Sequence, residues 1–247
     1  GITALIFLKD KKIKAVIPVH LGGLASDSKK IYELCKKKKI IVVEDAAHSF
    51  GAKYDKKNLV GSCKYSDLTV FSFHPVKTIT TGEGGVITTN SKELYEKLLT
   101  LRSHGIEKNS KKWKNKKLGF TENKKNLWYY EMQNGGFNYR ITDFQCALGL
   151  SQLKKINSII NYRKKITNLY DKELSNIKYL KIPQFKKRFL SSNHLYIINI
   201  NFKKINKSRN KIMSELMKSN IITQVHYIPI HLHPFYKKTV GRTKNLN

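Results

Sequence analysis

The stretch I-I-V-V-E-D-A-A-H-S at residues 40–49 decides how this chain folds. Its first four residues are β-branched and apolar, the mark of a strand buried on both faces of a parallel sheet. Glu44 and Asp45 arrive where that strand ends, and His48 follows. Upstream, residues 15–20 read as a short apolar strand, and Ser26 or Asp27 caps a helix with Ile31, Leu34 and Cys35 on one face. That helix ends in the lysine run 36–39, favourable at its negative pole and solvent-exposed. Strand, helix, strand is a βαβ unit, so the fold class is α/β with a mostly parallel sheet. Ligands of such sheets lie beyond the carboxyl ends of the strands. The residues after position 43, and those after the next strand at 68–73, are therefore the place to look for chemistry.

The second of those strands runs into S-F-H-P-V-K-T-I-T-T-G-E-G-G at residues 72–85, which carries Ser72, His74, Lys77, Glu83, Gly84 and Gly85. One strand thus delivers a carboxylate and its neighbour a lysine. Pyridoxal-phosphate catalysis needs both at strand ends: a carboxylate keeps the pyridine nitrogen protonated so that the ring is an electron sink, and a lysine holds the aldehyde as an imine. Lysine suits that role because its ammonium gives up its proton when desolvated, which arginine does not. Once a substrate amine displaces it, the same lysine can move the proton at the substrate carbon.

Length and composition are compatible with such an enzyme. A chain of 247 residues with 40% hydrophobic and 11% aromatic residues can build one large domain and a smaller one. Its 48 Lys and Arg against 17 Asp and Glu give a net charge of +31, which by itself suggests an anionic partner such as nucleic acid. The lysines are spread through every segment rather than clustered, so they read as solvated faces, with a field that would draw in a diphosphate-bearing substrate. Cys35, Cys63 and Cys146 are odd in number and form no C-x-x-C pair, which argues against a disulfide framework or zinc knuckle and suits a reducing cytoplasm. The longest apolar run, residues 4–8, is far short of the roughly 20 residues of a membrane span.

The string E-D-A-A, followed about thirty residues on by S-F-H-x-x-K and then E-G-G, resembles the DegT/DnrJ/StrS-type sugar aminotransferases. The likeness continues through L-R-S-H-G at 101–105 and N-Y-R-I-T-D at 138–143. It implies a fold type I, aspartate aminotransferase-like transferase with pyridoxal 5'-phosphate as cofactor. By the same resemblance Asp45 pairs with the pyridine nitrogen, Ser72 binds the cofactor phosphate and Lys77 forms the imine. His48 stands where relatives touch the cofactor ring, and Asn138 reaches the phosphate of a neighbouring subunit, which implies a homodimer with a shared site. Relatives with histidine at the position of Lys77 are dehydratases, so a lysine there implies transamination, with glutamate leaving as 2-oxoglutarate. The family's chains are longer on both sides, and a segment ahead of this one is expected to add a helix start for the phosphate and an aromatic residue against the ring.

The remainder reads as the rest of a large cofactor domain over residues 1–165 and a small C-terminal α/β domain over 166–247. Thr142 and Gln145 form a capping box, and Phe144, Ala147, Leu148 and Leu153 make a stripe expected to pack on the sheet. A longer helix is expected from 156 to about 174, a change of domain near Pro183, strands at 194–200 and 221–225, and a helix at 208–217. His226, His231 and His233 crowd together, but no Cys or carboxylate joins them, so a metal site is not expected. Instead V-H-Y-I-P-I-H resembles the family's substrate-lining stretch, with His226 as the substrate residue. Finally, W-Y-Y-E-M-Q at 128–133 and S-S-N-H-L-Y at 191–196 are similar to the branch acting on a UDP-linked 4-keto-6-deoxy N-acetyl hexose on the way to pseudaminic acid. Aminotransferases making perosamine-type or 4-amino-arabinose-type sugars are the alternative, and a basic nucleic-acid-binding protein is the reading from another class.

Overall fold

The computed structural model describes residues 13–182 and 190–239. The apolar run at 4–8 and the lysine-rich stretch after Pro183 lie outside the described residues. β1 (Ala15–Val16) leads through a 3-10 turn into α1 (Ser28–Lys37) and β2 (Ile41–Asp45), followed by β3 (Leu68–Ser72) and β4 (Gly85–Thr88). These strands form one sheet in chain order, parallel from β1 to β3 and closed by an antiparallel β4. Register places Glu44 beside Thr69, Asp45 beside Val70 and Ser72 beside Gly85.

Burial along β2 corrects the expectation of a strand covered on both sides. Val42 and Glu44 are fully buried, whereas Ile41 is exposed and Val43 and Asp45 are half-buried. The same alternation in β3 buries Thr69 and Phe71 and leaves Val70 and Ser72 half-buried. With a side-chain period of two, one face of the sheet is packed and the other is partly open within this chain. On the packed side Ile31 and Cys35 of α1 meet Val42, and Phe71 joins Ala46, Ala52 and Val60 with Phe50, Tyr54 and Phe73 around them. Asp27 does occupy the N-cap of α1, but its carboxylate takes Lys30 Nζ at 2.8 Å instead of a backbone N–H.

α2 (Lys92–Arg102) is capped by Ser91, whose hydroxyl accepts the Leu94 N–H. Beyond it a small insert contains β5 (Ile106–Glu107), α3 (Lys116–Gly119), the hairpin β6 (Phe120–Thr121) and β7 (Lys124–Lys125), and β8 (Glu131–Met132), which pairs with β5. Trp113 is buried at its centre, edge-on to Phe120 and Tyr129. The turn entering the insert needs Gly105, because at φ +70° a Cβ there would sit 1.7 Å from the Asn134 carbonyl oxygen.

α4 (Asp143–Leu153) begins with the expected reciprocal box: Thr142 Oγ1 accepts the Gln145 N–H and Gln145 Oε1 accepts the Thr142 N–H. Its apolar stripe does not pack on the sheet as expected. No residue of the helix is buried, and Phe144 is 91% exposed. Its contact with the sheet end runs instead through polar and small residues, Gln145 Nε2 donating to the Glu83 carbonyl at 2.8 Å and Gly149 lying against Thr81. α5 (Ile156–Leu174) follows.

The expected strand at 194–200 is largely absent. Ser192, His194 and Leu195 instead donate their N–H groups to the carbonyls of Gly23 and Gly22. Only β10 (Asn199–Ile200) forms a ladder, antiparallel to β9 (Leu180–Lys181). α6 (Phe202–Ile205), α7 (Arg209–Lys218) and α8 (Pro234–Thr239) complete the described chain, and residues 221–225 form no strand because no ladder partner stands beside them among the described residues. The chain divides into two compact units, one of residues 1–176 and 182–198, the other of 177–181 and 199–247. The first carries the four-stranded sheet and α1 to α5, the second β9, β10 and α6 to α8. Among the described residues no helix is long and apolar enough to cross a membrane.

Candidate active site

The candidate site lies at the carboxyl ends of β2 and β3, where the parallel ladder fixes which side chains share a face. Asp45 pairs with Val70, and Ser72 lies two residues further along β3, so Asp45, Val70 and Ser72 all occupy the partly open face. Glu44, one residue earlier, belongs to the packed face. Asp45 is held by its backbone on both sides: its N–H donates to the Pro18 carbonyl at 2.9 Å and its carbonyl accepts the His20 N–H at 3.0 Å. Its Oδ1 also accepts the Ala47 N–H at 3.1 Å, closing a turn that points the carboxylate past the end of the sheet.

Past β3 the chain makes a compact loop that carries Lys77. The Lys77 N–H donates to the His74 carbonyl, the Thr81 N–H and the Thr80 hydroxyl both return to the Phe73 carbonyl, and the Phe73 N–H donates to Gly84. Ser72 Oγ accepts the His74 N–H at 3.4 Å. Lys77 is half-buried, and among the described residues its Nζ has neither an ion pair nor a hydrogen bond. An amine, a carboxylate and a hydroxyl therefore lie at the carboxyl ends of two adjacent strands or in the loop that follows.

His48 is buried after β2, its Nδ1 accepting the Gly22 N–H at 3.4 Å and its carbonyl accepting the Ser192 hydroxyl at 3.0 Å. The His194 ring lies 4.6 Å from it, and Arg163 donates to His194 Nδ1 at 3.3 Å and to the carbonyls of Asn193 and His194. Burial draws the Arg163 guanidinium below its usual value. Asn138 is exposed; its Oδ1 accepts the Arg140 N–H, and its backbone bridges to Ser103.

A family model described as the DegT/DnrJ/EryC1/StrS aminotransferase family matches residues 4–247. The chain belongs to that family. It is 40% identical over 238 residues to a UDP-4-amino-4,6-dideoxy-N-acetyl-beta-L-altrosamine transaminase of Campylobacter jejuni, covering 95% of this chain and 57% of that protein. Among solved structures it is similar to Helicobacter pylori PseC, described as an aminotransferase involved in the biosynthesis of pseudoaminic acid, with a TM-score of 0.81, 34% identity and coverage of 95% of this chain and 58% of that one. A putative sugar aminotransferase of Streptococcus pneumoniae, solved in its PLP form, gives a TM-score of 0.75 at 29% identity, covering 94% of this chain and 59% of that one. The chain thus spans a little over half the length of the relatives it matches. Its parallel-rich sheet with flanking helices is the fold type I arrangement of pyridoxal-phosphate-dependent aminotransferases, as the resemblance implied.

The family's cofactor can be tested against the donor set. Pyridoxal phosphate asks for a carboxylate toward its ring nitrogen, hydrogen-bond donors toward its phosphate and an amine toward its aldehyde. Asp45, Ser72 and Lys77 are of these three types and lie at the ends of adjacent strands or in the loop after them, Asp45 and Ser72 on the open side, so the residues present fit the group. His226 belongs to the second unit, where it is half-buried with its ring against Tyr227.

Sequence reasoning missed the residues behind the site. Glu44 was visible only as a neighbour of Asp45. Its partners His20, Tyr54 and Thr69 come from three separate segments, and no spacing rule links them. Burial works to raise the Glu44 carboxyl, but contact with His20 and the hydrogen bond from Tyr54 outweigh it and hold Glu44 below the usual carboxylate range. Burial, then the adjacent carboxylate, push the Tyr54 hydroxyl well above the usual phenol range. Arg163 was silent in sequence, and His194 stood out only as part of the stretch 191–196.

Proposed function

We propose that this chain carries the catalytic core of a pyridoxal-phosphate-dependent aminotransferase that moves the amino group of glutamate onto a UDP-linked 4-keto-6-deoxy N-acetyl hexose, a step toward pseudaminic acid. The observation that carries the reading is the shared face of Asp45 and Ser72 at adjacent strand ends, with Lys77 in the loop that follows. When bound, the cofactor supplies an electron sink that stabilises negative charge at the carbon bearing the amine.

Asp45 would hold a proton on the ring nitrogen, Ser72 would donate to the phosphate, and Lys77 would hold the aldehyde. Released from it, Lys77 Nζ would move the proton at the carbon that gains or loses nitrogen. His48, held at the end of β2 with Nδ1 taken up by the Gly22 N–H, would stand beside the ring. Asn138, exposed on its loop, would serve the phosphate of a second subunit, which makes the working unit a homodimer. His226 would line the sugar site. The 40% identity to the Campylobacter jejuni transaminase and the likeness to PseC support the UDP-sugar assignment over other keto sugars.

The test is substrate choice. The complete protein, supplied with glutamate and a panel of UDP- and GDP-linked 4-keto sugars, should release 2-oxoglutarate only with the UDP-linked N-acetylated sugar. Preference for a GDP-linked sugar would replace this reading with a perosamine-type enzyme. Salt-sensitive DNA binding without any yellow chromophore would replace it with a nucleic-acid-binding protein.

A further inference from the structure

We propose that Glu44 is a positioning residue for this reaction: a buried carboxylate behind β2 that orients Asp45 and biases a proton onto the atom Asp45 holds. The proposal rests on the functional reading above and extends it to the opposite face of the sheet.

Glu44 is completely buried. Groups from different elements surround its carboxylate: the Tyr54 hydroxyl donates to Oε2 from the loop after β2, the Thr69 hydroxyl donates to Oε2 at 2.9 Å from β3, and His20 Nε2 stands 3.2 Å from Oε1 beyond β1, with the buried Ser28 hydroxyl of α1 also beside it. None of them supplies a fixed positive charge. The Ser26 N–H donates to His20 Nδ1 at 3.1 Å, which fixes the ring with Nε2 toward Glu44. Among the described residues no Lys or Arg pairs with Glu44. The Glu44 carboxylate is therefore held in the interior by hydroxyl donors and an imidazole, with no Lys or Arg beside it.

Such a charge is costly, and an apolar residue could tie the same elements together more cheaply. Glu44 and Asp45 stand back to back at one strand end, two carboxylates with no Lys or Arg paired to Glu44 among the described residues. What would balance them is a positive charge on the Asp45 side, and a protonated ring nitrogen is one. Position follows from the same contacts: His20, which faces Glu44, also donates its backbone N–H to the Asp45 carbonyl at 3.0 Å.

The experiment uses the complete protein loaded with pyridoxal phosphate labelled with ¹⁵N in the ring, and follows the nitrogen shift against pH. Carboxyl groups of adjacent strand residues lie within about 10 Å, so at an effective dielectric of about 20 the loss of one charge is worth on the order of tenfold in proton affinity. Glu44→Gln should move the ring-nitrogen titration down by about 1 pH unit and lower kcat about tenfold, with KM for the keto sugar unchanged. Should Glu44→Gln not accumulate as folded protein, Thr69→Val strips one donor and should add a second, coupled step to the ring-nitrogen titration as Glu44 protonates. An unmoved titration in Glu44→Gln, or a single unshifted step in Thr69→Val, overturns the proposal while leaving the aminotransferase reading intact. Failure of the wild-type protein to take up the labelled cofactor overturns both.

Discussion

Asp45 ends β2 and Lys77 lies in the loop after β3, so substituting each separates two roles. Lys77→Ala should abolish the yellow colour and lower turnover by at least about 10²–10⁴-fold, the usual contribution of a positioned proton-transfer group. Asp45→Asn should keep the cofactor bound and lose about 10²–10³-fold in kcat, since the neutral amide no longer stabilises a protonated ring. Stopped-flow absorbance with glutamate alone checks both, and full activity of Asp45→Asn would remove the electron-sink role. Tyr54→Phe tests the packed face independently of turnover. It leaves a buried carboxylate one donor short and should cost about 1–3 kcal/mol of stability by chemical denaturation. Asp45 and Ser72 were visible in the sequence as residues ending apolar strands and Lys77 as one in the loop that follows, their roles being what the resemblance implies. The packed-face partners were not, because His20, Glu44, Tyr54 and Thr69 meet only through the sheet register.

At the scale of elements, strands β2 and β3 and helices α1, α4, α5 and α7 follow from apolar period and caps. Strand pairing in the second unit did not follow, because apolar runs such as 221–225 become strands only when a partner stands beside them. The stripe on α4 shows the same limit: its spacing identified a helix correctly but not what covers it, and Phe144 remains exposed. The insert around Trp113 makes a prediction of its own. Desolvation works to raise the Glu131 carboxyl, but the backbone N–H groups of Lys114 and Asn115, with Gln133 and Tyr129, outweigh it and hold it at about 2. Its folded value lies below the unfolded value of about 4.3, so its contribution is complete above that pH and is lost as pH falls toward 2. Trp113 fluorescence should therefore report loosening of the insert between about pH 4 and pH 2, a transition that Glu131→Gln should not show. An identical acid transition in that variant would assign it to other carboxylates.

For the whole molecule, the net charge of +31 has a kinetic consequence under the proposed function. A diphosphate-bearing substrate should be steered by it, so kcat/KM should fall as ionic strength rises past about 0.1 M while kcat stays level. A flat salt profile would leave the lysines as solvated faces only. The parallel-rich sheet and membership of the DegT/DnrJ/EryC1/StrS aminotransferase family suit the proposed chemistry at the carboxyl ends of β2 and β3. The most direct measurement is peptide mass spectrometry of the complete protein after incubation with pyridoxal phosphate and reduction with borohydride. The phosphopyridoxyl group should be found on the peptide containing Lys77 and on no other; its attachment to another lysine, or to none, would contradict the account.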